Sequence, residues 1–190
     1  MDSKRIERFE EPKAAKWLFA STAAAWIWIA PRLYFGWKWF EAGREKIWPA
    51  EGAGWLTDPS GLKGFVGYAQ TLATGEHPAV NYDWYVSFLK FVGNNADWMA
   101  PLIAIGELLI GLAFIAGLFV GVSAFFAGML NMSFGLAGSA GVNPLFFLFD
   151  VLLILAWRNA GYWGLDRFAL PILGTPWEKG TLFEHRTASA

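Results

Sequence analysis

Four residues in this sequence of 190 have a chemistry at odds with their setting: Arg32, Glu107, Asn131 and Asp150. Each stands inside an apolar run, in "WLFASTAAAWIWIAPRLYFGWKWF" (17 to 40), "GELLIGLAFIAG" (106 to 117), "FFAGMLNMSFGLAG" (125 to 138) and "NPLFFLFDVLLILAW" (143 to 157). A charge at the centre of a bilayer costs at least ~2.5 to 3.5 kcal/mol on insertion scales, so such residues are expected to face a partner rather than lipid. Helical spacing gives them company. Arg32 shares a stripe with Gly36, Trp39 and Gly43; Glu107 with Ala100, Ala104 and Gly111; Asn131 with Ala124, Gly128 and Gly135; and Asp150 with Asn143, Phe146, Ile154 and Trp157. Small residues beside the first three suit close helix contacts in lipid. The expectation is a single polar pocket in the outer half of a bundle, with Arg32 paired to Glu107 or Asp150. One cation facing two acids leaves an imbalance, met either by a proton on one acid or by a second cation such as Lys38. Such a pocket could hold an anionic or carbonyl substrate on Arg32 and Asn131 and pass protons through Glu107 and Asp150. The alternative is an ion pair that fixes helix order and does no chemistry.

The elements that would position these residues are helices. Four apolar stretches, near 17 to 40, 98 to 118, 121 to 138 and 143 to 159, are long enough at ~1.5 Å per residue to cross a ~30 Å hydrocarbon layer. The sequence thus predicts an all-α, four-helix membrane bundle, one integral membrane domain spanning 1 to 190. "GLFVG" (117 to 121) reverses the chain between the second and third stretches, and "GSAGVNP" (138 to 144) opens the fourth with Pro144. Lysines and arginines before the first stretch (Lys4, Arg5, Arg8, Lys13, Lys16) and after the fourth (Arg158, Arg167) place both termini in the cytoplasm of a multi-pass plasma-membrane protein. The basic start and following apolar run read as an uncleaved anchor, the run being too long for a signal peptide. The segment 41 to 97 then faces outward. Within it Leu62, Phe65, Val66, Ala69, Leu72 and Ala73, and then Trp84, Tyr85, Phe88, Leu89 and Val92, recur at helical spacing. Two short amphipathic helices follow, either lying on the membrane as a lid or completing the bundle's outer end. Residues 160 to 190 read as a cytoplasmic tail.

Composition narrows the function. Hydrophobic residues make up 55% of the chain and charged ones 16%, a membrane balance. The net charge of -1, with no basic cluster interleaved with aromatics, excludes a nucleic-acid footprint. The absence of cysteine excludes disulfides, thiolate-held iron-sulfur clusters and thiol relays. His77 and His185 both lie in polar stretches, so this chain alone cannot hold a haem between two membrane histidines, and no metal set is apparent.

The runs "GELLIGLAFIAGLFVG" (106 to 121), "NPLFFLFDVLLILAWRNAGYWGLDRFALP" (143 to 171) and "FEAGREKI" (40 to 47) resemble the DoxX/DoxD family of small four-helix membrane proteins. Gly43 and Lys46 fall in that family's glycine-lysine positions, and the long outer segment is more like the DoxD branch. Many family members carry an arginine at the turn after the second helix, where this chain has Val120 and Gly121. The resemblance implies partner subunits in a membrane complex, electron transfer from thiosulfate or a related sulfur species to membrane quinone, and no metal of the chain's own. The leading expectation is therefore a prokaryotic subunit of a quinone-linked oxidoreductase. In it Glu107 and Asp150 would be catalytic, Arg32 and Asn131 would bind substrate, and membrane quinone would be the cofactor. The rival is a non-catalytic assembly, anchoring or accessory subunit of a larger respiratory complex, with lipids and other subunits as its partners. A small transporter is a weaker reading, because no inverted repeat or broken helix pair is evident.

Overall fold

A computed structural model describes residues 11 to 139 and 141 to 174. Among these the protein is all-helical, with no strand. Eight α-helices run in the order α1 (Lys13–Ala20), α2 (Ile29–Ile47), α3 (Ser60–Thr71), α4 (Asp83–Asn94), α5 (Ala96–Ala116), α6 (Val120–Leu136), α7 (Asn143–Leu155) and α8 (Asp166–Leu173), with a 3-10 segment, Thr22–Trp28, between α1 and α2. The expected basic N-terminal flank is described only from residue 11, and Lys4, Arg5, Arg8, His185 and most of the expected tail lie outside the described residues.

The expected first span is corrected. Ser21 takes an extended backbone, at φ -100° and ψ 135°, and its side chain accepts a hydrogen bond of 3.1 Å from the Ala23 N–H. That cap ends α1 and starts the tighter 3-10 segment. Pro31 then falls in the first turn of α2, where backbone N–H groups have no helical partner to lose. Rather than ending at residue 40, α2 continues to Ile47 and carries Lys38, Glu41, Arg44, Glu45 and Lys46.

The other boundaries follow from turn chemistry. α5 closes on Gly117 at φ 65°, with the Leu118 N–H bonded to the Ala113 carbonyl at 2.9 Å and the Gly117 N–H to Phe114 at 3.3 Å. α6 ends the same way on Gly138 at φ 84°, with Ser139 bonded back to Phe134 at 3.0 Å. A left-handed glycine of this kind satisfies the last carbonyls and turns the chain without Cβ strain. Among the described residues one helix, α5, is both long and apolar enough to cross a membrane, while α6 and α7 are apolar but shorter. Four full-length spans are therefore not reproduced.

The helices associate in two pairs, α2 on α5 and α6 on α7. Glycine makes each contact close. A Cβ added at Gly43 would strike the backbone of Leu108, one at Gly111 the backbone of Phe40, and one at Gly121 the side chain of Trp157. Between the pairs Phe35 packs on Phe146 and Phe149, with ring centroids 4.6 and 4.4 Å apart, within a core that also holds Trp28, Trp39, Phe114 and Leu153. A second core, built on Leu62, Val66, Tyr85, Leu89 and Val92, joins α3 and α4 to Ala96, Ala100 and Ala137. α5 and α6 part along one side and leave an apolar groove of about 690 Å³.

Candidate functional site

The interior stripes expected from sequence hold: Arg32, Glu107, Asn131 and Asp150 are all buried. They do not share one pocket. The structure places them in three settings, two at different heights of the α2 and α5 contact and one between α6 and α7.

Arg32 sits in the first turn of α2, which antiparallel packing brings to the last turn of α5. Its guanidinium donates to the carbonyls of Phe114 and of Ile115, the latter at 3.0 Å, and to that of Trp163 at 3.3 Å. The first two oxygens belong to the last turn of α5, where carbonyls run short of helical donors, and the cation suits the negative end of the α5 dipole. Arg32 therefore pairs with neither Glu107 nor Asp150, and it sits at the end of the bundle opposite the one expected. The expectation fails because depth was counted along the apolar run rather than along the helix that begins at Ile29. Lys38 does not join the acids either; it pairs with Glu41 at 3.0 Å on the surface.

The same turn is closed by an acid not singled out from sequence. Asp166 accepts hydrogen bonds from the backbone N–H groups of Phe119 at 2.6 Å and Val120 at 3.1 Å, capping the start of α6. Leu165 and Asp166 themselves donate to the carbonyls of Ala116 and Gly117 at 3.0 and 2.8 Å. Burial holds the Asp166 carboxyl above the ordinary aspartate range, against the pull of the two N–H groups and of Arg32. The glycines of "NAGYWGLDR" are the signal that was available, since a Cβ at Gly161 would strike Asp166 and one at Gly164 would strike Gly117.

Glu107, in the middle of α5, receives Lys46 from the far end of α2, with 2.6 Å between ammonium and carboxylate. The Glu107 side chain is 1% exposed and that of Lys46 is 24% exposed, so the pair links the bundle interior to its surface. Trp55 covers it: the ring centroid lies 5.4 Å from the Lys46 ammonium, and the Trp55 backbone N–H donates to the Lys46 carbonyl at 2.8 Å. Lys46 and Trp55 were absent from the expected site, although the glycine-lysine pattern of "FEAGREKI" pointed at the former. A hydrogen-bonded acid and amine spanning this boundary can exchange a proton with what binds above them.

Asp150 and Asn131 form the third setting. The Asn131 amide donates to one Asp150 oxygen at 2.6 Å, while the other oxygen, Oδ1, is buried with no partner among the described residues. Gly128 packs beside this pair, a Cβ there lying at an ordinary contact distance of 3.5 Å from the Asp150 Cβ. The Trp39 indole nitrogen is likewise buried and unpartnered. Among the described residues no group of three histidine or acidic side chains is placed to hold a metal ion. Compared with known proteins, the chain matches no family model, no curated protein and no solved structure.

Proposed function

We propose that the chain is an integral membrane subunit of a prokaryotic quinone-linked oxidoreductase whose electron donor is thiosulfate or a related reduced sulfur species. The observation that carries the reading is the meeting of Gly43, Lys46 and Glu107 across the α2 and α5 contact. These are residues on which the DoxX/DoxD resemblance rests, and they form one unit: the glycine permits the close approach that lets the lysine reach the acid. Oxidation of the donor releases electrons that reduce quinone to quinol, and that reduction consumes protons. In this reading a partner subunit handles the donor, and the Lys46 and Glu107 pair delivers protons to quinone held near it. Arg32 is then architectural, because both of its terminal nitrogens donate to carbonyl groups. Asp150 and Asn131 remain a second buried polar pair that can hold a proton.

A membrane setting is supported by the outward faces of α5, α6 and α7. Leu102, Leu109, Phe125, Met129, Leu148 and Leu155 are each more than half exposed, an arrangement that water would penalise and lipid would not. With α2, these helices make four crossings in the proposal, and the shorter α6 and α7 are accommodated by local thinning of the bilayer.

A second reading, an assembly or anchoring subunit of a respiratory complex, is favoured by the apolar grooves flanking α6, of about 690 and 680 Å³, which share Phe119, Val122 and Phe126. Native purification from membranes, followed by mass spectrometry of bound subunits and lipids, separates the two. Quinone retained by the wild type and lost from Lys46→Met supports the first. A stoichiometric partner with no quinone in either preparation supports the second.

A further inference from the structure

α4 divides its surface three ways. Tyr85, Leu89 and Val92 are buried against the bundle. Asp83, Ser87, Lys90 and Asn94 are exposed and polar. Between these two strips Trp84, Phe88 and Phe91 are exposed and aromatic, at 60%, 40% and 50%. At 100° per residue the buried and polar strips are centred on nearly opposite sides of the helix, and the aromatic strip lies at right angles to both. A helix in water that packs on a bundle needs only the first two faces.

The third face continues elsewhere. α5 follows after Asn95 alone, and its exposed apolar residues begin with another aromatic, Trp98 at 51%, before turning aliphatic with Leu102 at 57% and Leu109 at 58%. Aromatic to aliphatic is the order met on passing from the headgroup zone into hydrocarbon. The neighbouring α3 behaves differently, since its exposed positions Ser60, Gly61, Lys63, Gly64, Gly67 and Thr71 are polar or small, with Tyr68 the exception.

We propose that α4 lies in the interfacial zone of the bilayer, with Trp84, Phe88 and Phe91 inserted at the headgroup boundary, its Lys90 side toward water, and α3 stacked above it. This rests on the membrane reading of α5. The occupant is lipid rather than a protein partner, because one residue, Asn95, separates α4 from α5, which carries on the aromatic-to-aliphatic order and is, among the described residues, the one helix long and apolar enough to cross a membrane.

The chain has no cysteine, so single cysteines can be labelled in the intact protein. Nitroxide labels at Phe88→Cys, Phe91→Cys, Ser87→Cys, Lys90→Cys and Leu109→Cys, in phosphatidylcholine and phosphatidylglycerol nanodiscs, are read for collision with oxygen, which concentrates in lipid, and with a water-soluble nickel chelate. Labels at 88 and 91 are expected to give an oxygen-to-nickel ratio severalfold above those at 87 and 90, approaching that at 109. A lipid-like ratio at 109 with water-like values at 88 and 91 overturns the placement of α4 and leaves the membrane reading intact. A water-like value at 109 overturns the membrane reading itself. Immobile labels at 88 and 91, shielded from both reagents, mean that a second copy of the chain covers the strip, and this also overturns the proposal. Should either phenylalanine variant fail to fold, Trp84→Cys gives the same test.

Discussion

Lys46 and Glu107 meet at 2.6 Å with unequal burial, the acid sealed between helices and the amine a quarter exposed. Removing the amine strands a buried carboxylate, whereas removing the acid leaves an ammonium that can turn to water. Lys46→Met should therefore destabilise the protein by on the order of 3 kcal/mol, and Glu107→Gln by clearly less. The double variant Lys46→Met with Glu107→Leu should recover most of the loss. Denaturant unfolding in mild detergent measures all three, and equal losses in the single variants would contradict the asymmetry.

The α2 and α5 contact makes a second prediction, about glycine. A Cβ at Gly43 or Gly111 meets backbone atoms that cannot move aside, so either alanine variant should cost about 1 to 3 kcal/mol or more through overpacking. Gly64 and Gly67 on α3 have nothing within 4 Å of an added Cβ, and there alanine should stabilise the helix by up to ~1 kcal/mol. Melting temperatures of the four variants should fall on opposite sides of the wild type.

Asp166 gives the fold a pH dependence of known sign. Burial raises its carboxyl above the ordinary value of 3.8, so the stability tied to its proton is fully present below the unfolded pKa and is lost as pH rises through the folded one. Asp166→Asn should flatten that decline, seen as the difference between the two stability profiles across the acidic range. Asp166→Ala, which removes the acceptor for Phe119 and Val120, should cost about 1 to 2 kcal/mol throughout.

Among the described residues Asn131 is the only donor bonded to Asp150, and the second carboxyl oxygen already lacks a partner. Asn131→Leu leaves the whole group unsatisfied and should cost about 1 to 3 kcal/mol. Asp150→Asn removes the charge while keeping the shape, and should cost less than Asn131→Leu in the same unfolding assay.

Much of this was legible before the structure. The glycine turns at 117 and 138 marked the ends of α5 and α6, and the polar stripes on α2, α5 and α6 face inward as their spacing required. What sequence could not supply was height along the bundle. The run 17 to 40 reads as one mainly apolar stretch, yet Ser21 breaks it through a local side-chain cap, and the true helix begins at Ile29 and continues into charged residues. That shift moves Arg32 to the far end of the bundle and brings Lys46 to Glu107. Asp166 was missed for a related reason: its partners are backbone N–H groups at a turn 47 residues away, a contact with no signature in side-chain spacing.

The most direct test of the proposed function is the rate of thiosulfate-dependent quinone reduction in membranes carrying the wild type, Glu107→Gln or Gly64→Ala at matched levels. Glu107→Gln keeps the fold nearly intact and removes the exchangeable proton of the buried acid, so the account expects quinone reduction to be lost in that variant and retained in Gly64→Ala. Full activity in Glu107→Gln would contradict a role for the Lys46 and Glu107 pair in the chemistry.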